Sequence, residues 1–146
     1  MSDFDDLDAF RDSEPEPGET ATPTPELIYG STDEFVREKL IYLYARKVGP
    51  QNDGVFRWAA DWWRYPEAVS RLESLWRAWE ALRLDGATGS SSWWRDHADH
   101  HMPMLMSADG PFAFATSRNN PGVPLPYEPP PIEDFPDMRA SSDENP

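Results

Sequence analysis

The sequence predicts a mainly α protein: a small bundle of about four helices with an extended C-terminal arm, flanked by disordered acidic tails. Three observations predict it. All seven tryptophans fall between residues 58 and 94, so that stretch can build a core from large indole surfaces. Apolar residues there recur at three and four positions, the helical period. Charge and proline gather outside it. Residues 1–26 hold nine acids against one base, residues 127–146 six against one, and the hundred residues between them twelve against eleven. Acidic, proline-rich, apolar-poor ends cannot repay chain entropy. The predicted organisation is therefore tail 1–26, Trp-rich helical domain 27–126 and tail 127–146.

The length of 146 residues suits one domain, and the net charge is −14. A generic nucleic-acid or anionic-membrane binder needs a basic surface, so nucleic acid is not an expected partner of the full chain. The absence of cysteine excludes disulfides, Cys-ligated zinc, iron–sulfur clusters and thiol catalysis. The longest apolar run, residues 40–45, is too short to span a bilayer, and the acidic start lacks signal-peptide character. The expectation is a soluble cytoplasmic protein that needs no cofactor.

The first helix should open at Ser31, three residues before Glu34 in capping-box spacing. Phe35, Val36, Leu40, Leu43 and Tyr44 form its apolar stripe, Arg46 and Lys47 suit its C-terminal end, and Gly49-Pro50 stops it. A short helix is predicted over residues 55–64. The next starts at Pro66, carries Val69, Leu72, Leu75, Trp76, Trp79 and Leu82 inward, and pairs Glu67 with Arg71 and Glu73 with Arg77 outward. Asp85-Gly86 ends it. A fourth helix follows Ser91 or Ser92, with Pro103 ending or kinking it near Met102. Phe112 and Phe114 then alternate with alanine, as in a short strand or an arm laid over the helices. Asn119-Asn120-Pro121-Gly122 reads as a turn.

All three histidines lie within five residues. His97 and His101 stand one helical turn apart, His100 nearly so, and Asp96 or Asp99 offers oxygen, so the group has the types and spacing of a metal site. A dipole-stabilised, hydrogen-bonded helix end explains the same residues. The Glu that a zinc-protease helix needs after its first histidine is replaced by Ala98. No glycine-rich phosphate loop follows a strand, and no catalytic residues are assigned.

The motifs Arg57-Trp58-Ala59-Ala60-Asp61-Trp62-Trp63, Pro66-Glu67-Ala68-Val69, Leu75-Trp76-Arg77-Ala78-Trp79-Glu80 and Trp93-Trp94-Arg95-Asp96-His97-Ala98-Asp99-His100-His101 resemble an actinobacterial domain-of-unknown-function family carried on plasmids, conjugative elements and phages. The resemblance covers residues 29–114. It implies a mobile-element setting and brings no site residues with it.

These readings lead to a non-enzymatic adaptor that holds a protein partner. Phe4, Leu7 and Phe10, set among aspartates, would form one face of a short helix on binding. Of each adjacent pair, Trp62/Trp63 and Trp93/Trp94, one ring should reach the rim of the core, because helix neighbours point about 100° apart. A DNA-transaction accessory using Arg37, Lys39, Arg46 and Lys47 is the first alternative. A metal-dependent hydrolase using the histidines is the second.

Overall fold

Ser31 opens the first helix, as its spacing to Glu34 predicts. In the computed structural model, which describes residues 25–51 and 54–139, Ser31 is extended and its Oγ accepts the Glu34 N–H at 3.0 Å. The Glu34 carboxylate reaches back and accepts the Gly30 N–H at 2.6 Å. Helix α1 covers residues 32–43, and its middle, Val36–Leu40, is a π turn in which the Ile41 N–H bonds to the Val36 carbonyl. The extra residue in that turn brings positions five apart onto one face. Phe35 and Leu40, and Val36 and Ile41, are accordingly all buried, whereas Leu43 is exposed. A uniform 3.6-residue period selects Leu43 instead of Ile41; the widened turn reverses them. α1 also ends at Leu43, so Arg46 and Lys47 lie beyond its last turn.

The helix expected over residues 55–64 is reduced to a 3-10 turn at Trp62–Arg64. The residues before it bond across the fold instead. The Arg57 N–H reaches the Met106 carbonyl at 2.9 Å, the Ala60 N–H reaches Ser117 Oγ at 3.0 Å, and the Ala60 carbonyl accepts the Glu128 N–H at 3.0 Å. Arg57, Trp58 and Ala59 are buried in succession, which one face of a helix cannot achieve.

Helix α2, Pro66–Leu82, matches its prediction, with Leu72, Leu75 and Trp76 buried. The outward pairs form as expected, Arg71–Glu67 at 3.0 Å and Arg77–Glu73 at 3.1 Å. The Asp85 carboxylate then accepts the Ala87 and Thr88 N–H groups and turns the chain. Helix α3 covers residues 89–105 and starts earlier than predicted, at Gly89. A Cβ there would stand 1.8 Å from the Leu82 carbonyl oxygen, so glycine permits the two helix ends to meet. A second π turn, Trp94–Ala98, keeps Trp93 and Ala98 on one buried face. Pro103 does not end the helix, which continues to Leu105; the following Met106 N–H still bonds to the Met102 carbonyl at 2.9 Å.

The three helices share one aromatic core. Trp76 Nε1 donates to the Tyr29 carbonyl at 3.1 Å and Trp93 Nε1 to the Leu75 carbonyl at 3.0 Å. Among the described residues there is no strand; Phe112 lies in a turn, buried against Trp58 and Tyr65. A single bridge joins Val48 to Asn119. The predicted turn follows, with the Val123 N–H on the Asn120 carbonyl at 3.2 Å and Gly122 at φ +84°, a type II position that favours glycine.

The arm then runs back over the helices. The Leu125 N–H bonds to the Ile41 carbonyl at 3.0 Å, and the Pro126 carbonyl accepts Trp58 Nε1 at 2.9 Å. It does not stop at Pro126, the last residue before the expected tail. The Tyr127 hydroxyl donates to Asp33, the Glu128 carbonyl accepts Trp63 Nε1 at 2.9 Å, and the Phe135 ring sits 5.3 Å from that of Trp62. The Met138 N–H reaches the Gly30 carbonyl at 2.7 Å, and Arg139 pairs with Glu34 at 3.0 Å. Residues 127–139 thus form a strap whose aromatic rings and arginine have matching positions on the core. Residues 1–24 and 140–146 lie outside the described residues, and the expectation of disordered tails there lies outside with them.

Glu80 holds the segment that leads into α1. It lies on the inward face of α2, and its carboxylate accepts the Ile28 N–H at 3.0 Å, the Tyr29 N–H at 2.8 Å and Arg83 Nε at 3.1 Å. A carboxamide has one accepting oxygen and would turn an N–H₂ toward a second N–H. Glu80→Gln should therefore lower stability by about 1–3 kcal/mol in urea titration. An unchanged midpoint would mean that water replaces those bonds without cost.

Candidate interaction surface

Several of the residues proposed for chemistry are engaged with neighbouring side chains. His101 Nδ1 stands 3.0 Å from Arg71 Nη1, an arrangement that requires an unprotonated Nδ1. Burial, then the Arg71 charge, pushes the His101 imidazole below its ordinary pKa. The His100 ring lies edge-on to His101 at 5.0 Å, and both Asp96 oxygens accept from Arg95, Oδ1 at 2.9 Å and Oδ2 at 3.2 Å. His97 is half-buried on the π turn. Among the described residues, no group of three or more His, Cys, Asp or Glu side chains is placed to hold a metal ion.

One ring of each tryptophan pair is buried and the other reaches the rim, although Trp62 and Trp63 lie on a 3-10 turn and not on the expected helix. Trp62 and Trp93 are buried and serve the core, so neither is available to a partner. Trp63 and Trp94 are half-buried at the rim. Trp63 lies under the Arg64 guanidinium at 4.7 Å, and Trp94 packs on Tyr44 at 5.8 Å. Phe4, Leu7 and Phe10 fall outside the described residues.

The four cations proposed for DNA have different partners. Arg37 faces Glu38 at 2.6 Å and Asp33 at 3.8 Å, and Lys39 lies 5.1 Å over the Trp79 ring. Arg46 and Lys47 belong elsewhere, to the end of the molecule built from the segments around residues 44–57 and 110–119. There Arg46 stacks on Tyr44 at 4.7 Å and on Phe56 at 5.5 Å. Burial pushes the Tyr44 phenol up to about 12, so it stays neutral beneath that guanidinium. The Gly49 N–H bonds to the Phe56 carbonyl at 3.3 Å, and the Val48–Asn119 bridge brings Arg118 alongside. Arg57 is buried beneath, with Nη1 donating to the Gly54 carbonyl at 2.8 Å and Nε without a hydrogen-bond partner among the described residues.

Aromatic and aliphatic side chains stand out from the same end. Phe114 is 87% exposed and Val55 75%, and Phe114 shares a cavity of about 310 Å³ with Pro50 and Gln51. Sequence reasoning missed this grouping. Phe114 looks like a core residue by its alternation with Phe112, and nothing local says that the two rings part company.

A family model described as Domain of unknown function (DUF4913) matches residues 29–131. The chain belongs to the DUF4913 family. No curated protein and no solved structure matches it. The DUF4913 match extends beyond the residues that carry the sequence resemblance, through Tyr127 and the first part of the strap. It therefore takes in every described residue of the exposed end: Arg46, Lys47, Val55, Phe56, Phe114 and Arg118 all lie within it.

Proposed function

We propose that this DUF4913 protein is a non-enzymatic adaptor that works by protein–protein contact, in the mobile-element setting that the family resemblance implies. The observation that carries this reading is the set of exposed apolar side chains Val55, Phe56 and Phe114, with Phe114 beside Pro50 and Phe56 bonded through its carbonyl to Gly49. Single exposed apolar residues are ordinary, but neighbouring ones favour association. Affinity capture with the tagged full chain from its native cells tests it. Phe114→Ser and Val55→Ser change exposed positions, so stability should move by less than about 0.5 kcal/mol. Capture of a defined protein should fall sharply for both variants and survive rising salt, because apolar contact is not screened. An unchanged captured set would overturn the proposal.

The cations at the same end favour one second reading, a DNA-transaction accessory. Phosphate contacts release counterions and weaken steeply with salt, and the −14 chain opposes them. No gel shift of duplex DNA is expected for the full chain at physiological salt. Sequence-selective binding there would promote this reading above the adaptor.

A further inference from the structure

We propose that the exposed end formed by Arg46, Lys47, Phe56 and Phe114 is a docking surface for residues 3–10 of the same chain. The two segments that build this end are poor in carboxylates, although Asp99 of α3 lies close enough to act on the Tyr44 phenol. In sequence, residues 44–60 contain one acid, Asp53, and residues 110–127 none, whereas residues 1–26 contain nine. The two segments carry Arg46, Lys47, Arg57 and Arg118. Among the described residues neither Arg46 nor Lys47 forms an ion pair; Arg46 lies on aromatic rings, and the Lys47 stem passes 3.9 Å from where a Cβ on Gly54 would stand. A cation on the exposed Phe56 ring, at an end where Phe114 also stands out, calls for an occupant that is both anionic and apolar.

Residues 3–10 have that composition. Asp3, Asp5, Asp6 and Asp8 alternate with Phe4, Leu7 and Phe10, whose three-residue spacing aligns the apolar groups when the segment coils. The segment also has the reach. The description begins at Pro25, beside Arg83 and Leu84 at the C-terminal end of α2. Phe112, two residues before Phe114 in sequence, meets Tyr65 just before Pro66, at the N-terminal end of α2. The 17 residues of α2 span about 25 Å, and the fourteen residues 11–24 can extend to about 46 Å. Tethering sets an effective concentration on the order of millimolar, so weak intrinsic affinity suffices.

The apolar groove nearer Pro25, lined by Leu27, Trp76, Ala81 and Leu84, is the rival seat. Its arginines are already paired, Arg77 with Glu73 and Arg83 with Glu80. It therefore offers less to an acidic segment.

The chain has no cysteine, so Ser2→Cys with a nitroxide label in the full protein gives a single paramagnetic probe. At low salt, amide signals of Lys47, Val55, Phe56 and Phe114 should lose most of their intensity. They should recover with Phe4→Ser/Leu7→Ser/Phe10→Ser in the labelled chain, with Arg46→Glu/Lys47→Glu, and as salt rises. Broadening around Leu27 and Leu84, or at no site, would overturn the proposal. So would broadening of an isotope-labelled, nitroxide-free chain mixed with spin-labelled chain, since contact would then come from a second copy. Perturbation of the same amides by an oligonucleotide alone, with the label silent, would overturn it in favour of nucleic acid.

Discussion

Trp76→Ala should destabilise the protein by about 3–5 kcal/mol, the range for emptying a fully buried aromatic site. The indole is 1% exposed, so the substitution opens a cavity in the middle of the core. It also leaves the Tyr29 carbonyl without its donor, and Tyr29 is one of the two residues that Glu80 anchors. Loosening that carbonyl and enlarging the cavity act on the same segment, so the two costs are coupled rather than additive. Trp79, one residue short of a turn further on, should cost less, about 1–3 kcal/mol. It is half-buried, ringed by Tyr29 at 5.1 Å and Phe35 at 5.9 Å, with Lys39 covering its outer face at 5.1 Å. Urea denaturation of both variants checks the order. A domain of this size has only about 5–15 kcal/mol of stability in total, so Trp76→Ala alone should shift the midpoint far down. Equal losses at the two positions would show that Lys39 and the neighbouring rings seal Trp79 as fully as the core seals Trp76.

The contrast between these two rings shows what the sequence carries and what it withholds. Long, strongly periodic α2 was legible end to end, and so was the cap at Ser31, because both depend on neighbours within four residues. The π turns were not. They show only in which side chains are buried, with Ile41 replacing Leu43, and a fixed helical period averages over them. The extended run through Trp58 reads as helix in the sequence because its partners, Met106, Ser117 and Glu128, are distant in sequence. Glu80 did leave a signal. It falls four residues after Trp76 and eight after Leu72, an acid on the buried face, which implies donors waiting to meet it. The exposed end left almost none, since the Val48–Asn119 bridge that assembles it joins segments about seventy residues apart in sequence.

A chain ending at Pro126 should be less stable than one ending at Arg139 by about 2–4 kcal/mol, from the lost hydrogen bonds and the uncovered aromatic surface. Composition alone predicts no difference, since residues 127–146 carry six acids, one base and a run of prolines. Four of those prolines, Pro129, Pro130, Pro131 and Pro136, lie in the strap itself, and they change the entropy argument. A proline-rich segment has fewer conformations to lose, so ordering it costs less than ordering an ordinary one. Against that reduced cost stand specific contacts. Phe135 covers Trp62, Tyr127 bonds to Asp33, Glu128 meets both Ala60 and Trp63, and Met138 and Arg139 close on Gly30 and Glu34. Glu34 is also the residue that secures the start of α1, so loss of Arg139 should loosen that helix end as well. The Arg139–Glu34 pair is partly exposed and contributes little by itself. Most of the effect should follow Phe135 and the backbone bonds, so Phe135→Ala in the full chain should reproduce about 1–2 kcal/mol of it, while Arg139→Ala should cost under about 1 kcal/mol. Thermal melts followed by tryptophan fluorescence supply a second readout. Phe135 of the strap packs on the buried Trp62, so the chain ending at Pro126 should emit at longer wavelength before it unfolds. Identical melts and identical emission for the chains ending at Pro126 and Arg139 would make the strap a passenger on a domain complete without it.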